Sequence, residues 1–368
     1  MSLDARREEV LRELRTVQDP DLHRDLVSLG MIKDLKVEGD RVGFSIVLTT
    51  PACPVRDNMK QWTEDAVRRL PWVRQVAVDM QATTAAGRGL TGNEQLIPHV
   101  KNVIAVASGK GGVGKSTTSV NVALALADTG ARVGLLDGDI YGPNIPLMMG
   151  LREPPQLQQD GGKIIPYRSY GIRLMSIGFF LDESKPVIWR GPMVHGAIQQ
   201  FLRDVDWGDL DYLVVDLPPG TGDAPLSLSQ LIPLSGVVIV TTPQDVALQD
   251  VAKGMSMFQR LEVPVLGVVE NMSYFICPGC QERHEIFGTG GGEKIARQFS
   301  VPFLGSVPLQ PLIREGGDQG RPVVVTHPDS VEAGAFRDVA GAIAQQVSIL
   351  AYAGQGAFVP AMTLTLKK

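Results

Sequence analysis

The stretch Gly109-Lys110-Gly111-Gly112-Val113-Gly114-Lys115-Ser116-Thr117 decides the fold of this chain. It meets the pattern G-x-x-x-x-G-K-[ST], after an apolar run at residues 103–107 and before a helical segment. In that setting glycines let backbone N–H groups converge on phosphate oxygens, and the helix N-terminus adds partial positive charge. Lys115 would reach the β- and γ-phosphates, and the Ser116 hydroxyl would ligate Mg²⁺. The sequence therefore predicts a P-loop that binds ATP with Mg²⁺.

Around this loop, short runs rich in Val, Ile and Leu alternate with segments of helical length. The runs cover residues 103–107, 132–136, 212–215, 237–241, 265–269 and 303–307. Continuous apolar strands separated by helices indicate a parallel sheet that is buried on both faces. We therefore expect an α/β fold with a doubly wound, mostly parallel sheet, closed by a helix over residues 330–349.

The N-terminal part of the chain has a different pattern. Residues 4–82 predict helix, hairpin, helix and strand, with the hairpin turning at Glu38-Gly39-Asp40. The next segment is small and polar without an apolar period, which is typical of a linker. The predicted organisation is a small α+β domain at 1–82, a linker at 83–99, a P-loop ATPase domain at 100–352 and a tail at 353–368.

Bulk composition limits the possible partners. The chain has 368 residues, of which 44% are hydrophobic and 20% charged, which suits two globular domains. A net charge of -5 provides no basic footprint for nucleic acid or anionic lipid. The longest apolar runs fall far short of the roughly 20 residues that span a bilayer, and no secretory signal is evident. We expect a cytoplasmic protein that binds neither nucleic acid nor membrane.

The second lysine of the loop, Lys110, narrows the class. The run from Lys110 to Thr117 resembles the deviant Walker A motif of the MinD/ParA/nitrogenase-iron-protein class. That resemblance implies that Lys110 contacts phosphates across a homodimer with ATP at its interface, and it places Lys110 with Lys115 in catalysis. The alternative for Lys110 is a solvated surface charge.

Three aspartates fit the same site. Asp216 ends the apolar run at 212–215 and is predicted to hold Mg²⁺ through water, as a Walker B carboxylate does. Asp137 and Asp139 follow the strand after the P-loop helix, where the class has its first switch. The resemblance implies that Asp139 orients or deprotonates the attacking water and that Asp137 lies near the metal. Capping or turn aspartates are the alternative.

The resemblance also implies roles for four further residues. Gly220 and Asp223 are similar to the second switch, which senses the γ-phosphate. Asn271, after the strand at 265–269, matches the position that contacts the adenine ring, and Pro308 matches the wall of that pocket.

Cys277 and Cys280 form a separate candidate site. Two cysteines spaced i,i+3 in a turn direct their sulfurs at one ion or cluster. Two thiolates are an incomplete site, but a two-fold dimer would bring four together, as a [4Fe–4S] cluster or tetrahedral zinc requires. Two alternatives stay open, a structural zinc site completed by His284 and a redox pair.

Several motifs together resemble one family. They are the P-loop, Asp137-Gly-Asp-Ile-Tyr-Gly-Pro-Asn-Ile-Pro, Trp189-Arg-Gly-Pro-Met and Glu270-Asn-Met-Ser-Tyr-Phe-Ile-Cys-Pro-Gly-Cys. Over nearly the whole chain they resemble the Mrp/ApbC family of iron–sulfur cluster carrier ATPases. The resemblance implies an ATP-hydrolysing homodimer that holds a labile [4Fe–4S] cluster between its Cys277/Cys280 pairs. It also implies apo iron–sulfur proteins and cluster-assembly scaffold proteins as partners.

The N-terminal segment, with Asp19-Pro-Asp and Thr49-Thr-Pro-Ala-Cys53-Pro, is similar to a small domain found in other iron–sulfur assembly factors. Cys53 is therefore either a contact for metal or a partner, or a buried small hydrophobe. Two other functions remain as alternatives for the whole chain. One is a positioning ATPase that acts on membrane or DNA, and the other is a zinc-stapled nucleotide-binding scaffold.

Overall fold

A computed structural model describes residues 2–84, 96–140, 142–153, 155, 158–180 and 191–353. The chain divides into a smaller unit, Met1–Ala85 with the segment from Ala344 onward, and a larger unit, Ala86–Ile343. Parts of four predicted features lie outside the described residues: linker residues 85–95, Tyr141, Trp189 with Arg190, and tail residues 354–368.

The smaller unit confirms the predicted order of helix, hairpin, helix and strand. Its elements are α1 (Leu3–Leu14), β1 (Gln18–Asp19), β2 (Arg24–Asp25), β3 (Ile32–Glu38), β4 (Arg41–Leu48), α2 (Arg56–Arg68) and β5 (Gln75–Ala82). β4 pairs antiparallel with β3 and parallel with β5. Alternate residues of β4, Val42, Phe44, Ile46 and Leu48, are buried, because successive side chains of a strand point to opposite faces. That face packs with α1 and α2 into one core.

The larger unit contains the predicted α/β fold. Its first elements are β6 (Val103–Ser108), α3 (Lys115–Asp128), β7 (Val133–Asp137), α4 (Ile145–Met148), β8 (Gln159–Asp160), β9 (Lys163–Ile164), β10 (Tyr167–Ser169), β11 (Ile172–Ser176) and α5 (Gly191–Asp204). They are followed by β12 (Tyr212–Asp216), α6 (Asp223–Leu231), β13 (Gly236–Thr241), α7 (Asp245–Arg260), β14 (Val265–Glu270), β15 (Phe275–Ile276) and β16 (Arg283–His284). The last are α8 (Gly291–Phe299), β17 (Phe303–Ser306), α9 (Pro311–Gln319), α10 (Val323–Thr326) and α11 (Val331–Ala353).

Eight of these strands form one sheet in the order β10-β11-β7-β12-β6-β13-β14-β17. Neighbouring strands are parallel except for β10, which pairs antiparallel with β11. The central strands are buried along their whole length, as the continuous apolar runs predict. The order reverses direction at β6, and the carboxyl edge of a parallel sheet at such a switch point is where ligands bind. The P-loop follows β6 at that edge.

The sheet is larger than the sequence predicts. β10 and β11 were missed, although β11 pairs with β7 next to the candidate site. Their pattern is weak because β11 reads Ile-Arg-Leu-Met-Ser and β10 contains Tyr-Arg-Ser, so neither is a continuous apolar run. Pairing with β7 buries β11 nonetheless, which is a tertiary effect that local pattern does not show.

The division between the two units falls at Ile343, within α11, so that residues of this helix belong to both units. The physical reason is that the last turns of α11 pack in the smaller unit. There the Gln345 side chain donates to the Asp21 carboxylate, and the Ser348 hydroxyl lies 3.5 Å from the Thr49 carbonyl oxygen. The predicted domain limits, including residue 352, stay a prediction. In the described part of the chain, no helix is long and apolar enough to cross a membrane.

Candidate functional site

The P-loop is held between a buried strand and a buried helix. β6 ends at Ser108, and α3 begins at Lys115 with Gly114 as its N-cap in the left-handed region, at φ 81°. A Cβ on Gly109 would lie 2.5 Å from backbone atoms of α7, so only glycine lets the loop pass that helix. Val113 is buried and anchors the middle of the loop. The local sequence therefore directs the loop backbone at the N-terminus of α3, where anions bind.

A buried charge cluster lies beneath the loop. Lys115 Nζ donates to Asp216 Oδ2 at 2.7 Å and lies 3.7 Å from Asp139 Oδ2. The Ser116 hydroxyl donates to the same Asp216 oxygen at 2.6 Å. Lys115 is 6% exposed and Asp216 is 0% exposed, so each charge depends on its partner for compensation. The structure thus brings together Lys115, Ser116, Asp139 and Asp216, while their roles towards a nucleotide and a metal stay predictions.

Ser119 is a member of this cluster that the sequence reasoning missed. Its hydroxyl donates to Asp216 Oδ1 at 2.6 Å, so both oxygens of that carboxylate accept hydrogen bonds. Ser119 lies three residues after Ser116 on α3, and residues at i and i+3 share a helix face. That spacing was the available signal.

Asp137 occupies a different environment from Asp139. It is fully buried, its Oδ2 accepts from the Ser176 hydroxyl at 2.9 Å, and its Oδ1 accepts from the Asp139 amide at 3.2 Å. Burial, followed by the nearby negative charge of Asp216, raises the pKa of Asp137 to about 8. The carboxyl group therefore supports the turn that carries Asp139. Its role near a metal stays a prediction.

A cavity of about 420 Å³ opens over the P-loop. It is lined by Ser108 and by all the predicted loop residues except Gly109 and Val113, together with Asp139 and Pro219 on the sheet edge. Its other wall comes from the α4 region, at Asn144, Leu147 and Met148, and from Gly317 with Asp318 on α9. Gly111 and Gly112 have open space where a Cβ would lie, so bare backbone faces this cavity. We call it the P-loop cavity.

Lys110 and the two residues compared with the second switch differ in their surroundings. Lys110 is half-buried, lines the P-loop cavity, and its carbonyl oxygen accepts from the Ser108 hydroxyl at 3.0 Å. The Gly220 amide donates to the Ser108 carbonyl oxygen at 3.0 Å, and Asp223 is exposed at the start of α6. The γ-phosphate role of Gly220 and Asp223 and the dimer role of Lys110 stay predictions.

Asn271 contacts the P-loop directly. Its side-chain amide is buried and donates to the Val113 carbonyl oxygen at 2.8 Å. A Cβ on Gly114 would lie 2.0 Å from that amide nitrogen, so the side chain packs against the loop where glycine leaves room. Asn271 thus braces the loop, and its contact with adenine stays a prediction. Pro308 is buried after β17, and its role as a pocket wall stays a prediction.

Glu270 is a second residue that the sequence reasoning missed. It is buried at the end of β14, and its carboxylate accepts from the Ser273 hydroxyl at 2.5 Å and from the Gly292 amide at 2.6 Å. It also accepts from the Gly290 amide at 3.2 Å, so a negative charge caps the N-terminus of α8. Residues 270–273 are therefore fixed on one side to α8 and on the other, through Asn271, to the P-loop. Glu270 could have been found from the sequence as a charged residue at the end of an apolar strand.

Cys277 and Cys280 lie in the exposed turn of a small hairpin. β15 pairs antiparallel with β16, and the Cys277 amide donates to the Glu282 carbonyl oxygen at 2.9 Å. We call residues 275–284 the cysteine hairpin. Backbone N–H groups of Cys280 and Gly279, together with the Cys280 side chain, hydrogen-bond to the Cys277 sulfur and lower its pKa. The predicted turn is present, with both cysteines unpaired and Cys280 exposed.

Cys53 has the opposite character. It is partly buried and packs against the core of the smaller unit. Burial raises the pKa of the Cys53 thiol to about 11, so the thiol is protonated and unreactive at neutral pH. The packing supports the reading of Cys53 as a buried small hydrophobe.

Comparison with known proteins extends these observations. Residues 99–344 match the family model described as NUBPL iron-transfer P-loop NTPase, and residues 7–86 match the model described as iron-sulfur cluster assembly protein. An iron-sulfur cluster carrier protein of Synechocystis sp. is 53% identical over 346 residues, which cover 93% of this chain and 98% of that protein. The iron-sulfur cluster transfer protein NUBPL of Dictyostelium discoideum is 53% identical over 256 residues, covering 69% and 79% respectively.

A solved structure is also similar to about two thirds of this chain. The nucleotide-binding protein of Archaeoglobus fulgidus in complex with ADP, with Co found by PIXE, is 38% identical and superposes with a TM-score of 0.59. The matched region covers 66% of this chain and 95% of the chain of the solved structure. The P-loop fold described above is therefore shared with a protein of known nucleotide content.

Proposed function

The chain belongs to the NUBPL iron-transfer P-loop NTPase family, and from this premise we propose that it is an ATP-hydrolysing carrier of a labile [4Fe–4S] cluster. The cluster is the cargo, held between the Cys277/Cys280 pairs of a homodimer and passed to apo iron–sulfur proteins. Cluster-assembly scaffold proteins would supply it. The observation that carries the proposal is the exposed cysteine turn, in which a lowered thiol pKa favours the thiolate that iron binds.

The P-loop cavity supports the nucleotide part of the proposal. Bare backbone at Gly111 and Gly112, the N-terminus of α3 and the Lys115 ammonium all favour an anion there. Ser116 and Asp216 are oxygen donors of the kind that Mg²⁺ prefers, and they lie in mutual contact. The residues present therefore fit Mg²⁺ with ATP.

Residues in and around the charge cluster have distinct roles in this proposal. Lys115 and Lys110 would hold phosphate oxygens, while Ser116 and, through water, Asp216 would hold the metal. When bound, Mg²⁺-ATP supplies the phosphoryl group that is transferred to water. Asp139 lines the P-loop cavity beside Lys115 and would orient the attacking water and take up its proton. Asp137, held by Ser176, would keep the Asp139 turn in place.

The number of cysteines that one chain supplies is the reason for proposing a dimer. One chain offers two cysteines in the exposed turn, and Cys53 packs in the core of the smaller unit. A [4Fe–4S] cluster takes four thiolates, so two copies related by a two-fold axis would complete the site. Exposure of Cys280 keeps the turn accessible to a second copy and to an acceptor protein. The proposal places this chemistry in the cytoplasm, where thiols stay reduced, with no nucleic acid or membrane partner.

Anaerobic reconstitution with iron and sulfide tests the proposal. Wild type and Cys53→Ala should both develop cluster absorbance and activate an apo [4Fe–4S] enzyme, because Cys53 lies outside the proposed site. Cys277→Ala with Cys280→Ala should do neither. Equal cluster absorbance in that double variant and in wild type would refute the assignment of the cysteines. Cluster formation without transfer to the apo-enzyme would refute the carrier function.

A further inference from the structure

Three different metal-binding side chains converge on one face of the cysteine hairpin. Cys280 lies at the end of the turn, Glu282 follows the left-handed residue Gln281, and His284 ends β16, so the return arm of the hairpin carries all three. Their ligand atoms all lie within 4.8 Å of one another. Cys280 Sγ is 3.9 Å from Glu282 Oε2, and that oxygen is 3.9 Å from His284 Nε2. Cys277 is not one of these three donors.

We propose that Cys280, Glu282 and His284 form a labile site for a single divalent transition-metal ion of the zinc or iron(II) type within one protomer. The site lies beyond the proposed cluster function, since it uses two residues that the cluster does not need. It shares Cys280 with the cluster, so one ion per chain and a bridging cluster exclude each other.

The distances fit such an ion. Ligands at about 2.0–2.3 Å from a tetrahedral zinc ion are about 3.5 Å apart. Two of the observed separations are 3.9 Å and the third is within 4.8 Å, so rotation of these exposed side chains must bring the donors closer to reach that value. Sulfur, carboxylate oxygen and imidazole nitrogen together favour a borderline ion over Mg²⁺ or Ca²⁺, which prefer oxygen alone.

The hairpin holds these donors on a supported backbone. Residues of β15 and β16 pair in register, Phe275 with His284 and Ile276 with Arg283. The Arg283 guanidinium lies 4.1 Å from the centre of the Tyr274 ring, and the Gln310 side-chain amide donates to the Ile276 carbonyl oxygen at 2.9 Å. The backbone that carries the three donors is therefore anchored at its base, which lowers the entropy lost on binding.

The coordination predicts exchange rather than permanent binding. Three protein ligands leave a fourth tetrahedral position open, and all three side chains are exposed to solvent. Cys280 must lose its proton to bind as thiolate, and the proton passes to solvent. An ion held in this way can leave when a second copy brings the cysteines required for a cluster.

Cobalt(II) titration of the anaerobic, metal-free full-length protein tests the proposal. Thiolate-to-cobalt charge-transfer bands and tetrahedral d–d bands should appear at one ion per chain. His284→Ala and Glu282→Gln should each weaken binding by about tenfold or more, as loss of a supporting contact at a metal site already costs that much. Glu285→Gln is the matched control, because Glu285 is also exposed on the same segment but lies outside the donor set, and it should bind as wild type does.

Two variants separate this site from the cluster site. Cys277→Ser should keep cobalt binding and lose the [4Fe–4S] cluster, whereas His284→Ala should lose cobalt affinity and keep the cluster. The inference is overturned if wild type shows no thiolate–cobalt band, or if His284→Ala and Glu282→Gln bind cobalt as wild type does. Normal cobalt behaviour in a wild-type protein that forms no cluster would refute the proposed function and leave the single-ion site intact.

Discussion

Four glycines of the P-loop differ in their surroundings, and alanine substitutions at each should destabilise the larger unit to different degrees. At Gly111 there is open space and no left-handed backbone, so Gly111→Ala should change the free energy of unfolding by less than about 0.5 kcal/mol. Gly112 has equally open space but a φ of +79°, so alanine there should cost about 1–2 kcal/mol from backbone strain alone.

At Gly114 an alanine side chain would suffer the same backbone strain and would also clash with a neighbouring residue. Its φ is +81°, and a Cβ would lie 2.0 Å from the Asn271 amide nitrogen. The side chain of Asn271 would have to leave, and its hydrogen bond to Val113 contributes about 0.5–1.5 kcal/mol. Gly114→Ala should therefore cost about 2–3 kcal/mol, with Gly112→Ala as its matched control. Gly109→Ala meets α7 backbone at 2.5 Å, and overpacking against a backbone that cannot rotate away should cost about 3 kcal/mol.

Hydrogen exchange of the nucleotide-free protein, measured on peptides from β6 and α3, would rank the four variants. This measurement does not assume that a chain of two units unfolds in one step. Thermal unfolding gives a second measure, since each kcal/mol lowers the Tm by roughly 2–4 °C for a domain of this size. The role of Asn271 as a brace is refuted if Gly114→Ala exchanges no faster than Gly112→Ala. Equal exchange in Gly112→Ala and Gly111→Ala would refute the strain argument.

Three further predictions concern charges. Lys115→Gln should abolish ATP hydrolysis, and it should also destabilise the larger unit because it removes the charge that compensates the buried Asp216 carboxylate. Unchanged turnover in folded protein, as judged by circular dichroism, would disprove the role of this lysine. Lys110→Ala should leave nucleotide binding measurable but remove ATP-dependent dimerisation in analytical ultracentrifugation; a dimer of wild-type affinity would show that Lys110 is a surface charge. Burial alone would raise the pKa of Asp211. Hydrogen bonds from Lys101 and Arg132 outweigh burial and lower this pKa from 3.8 to about 2. The ionised carboxylate therefore stabilises the fold above pH 4 and loses this effect as the pH falls towards 2. Asp211→Asn should lower the free energy of unfolding by about 1–2 kcal/mol at pH 7, after allowance for solvent screening, and by little at pH 2. A loss of stability that does not depend on pH would contradict the assignment.

The sequence predicted the elements whose residues carry their own signal. The P-loop could be located from Gly109 to Thr117 because its glycines, lysine and serine occur at a fixed spacing between a strand and a helix. Asp216 and Asp139 could be placed in the same site because the carboxyl ends of parallel strands meet at one edge of the sheet. The structure confirms the fold and brings these side chains together.

Features that depend on tertiary packing could not be predicted. Strand β11 has a weak pattern and is buried only because it pairs with β7. The hydrogen bond of Asn271 to the P-loop joins residues 158 positions apart, and no local pattern reports it. Whether Cys53 is buried or reactive also depends on the core around it, which the two prolines beside it do not reveal.

Residues 270–273 connect the two candidate sites, the P-loop and the cysteine hairpin. Asn271 holds the P-loop, Glu270 holds the start of α8, and Cys277 follows six residues after Asn271. A change in loop position would therefore act on the segment from which the cysteine hairpin extends. Coupling of ATP to cluster release needs such a shared element, which both sites contact.

Native mass spectrometry of the anaerobically reconstituted protein tests the central claim most directly. If four cysteines from two chains hold the cargo, the spectrum should show a dimer that carries one [4Fe–4S] cluster. Protein that has not been reconstituted should show no species with the added mass of a cluster. A single chain that carries a complete [4Fe–4S] cluster, or a dimer with one cluster on each chain, would contradict the account.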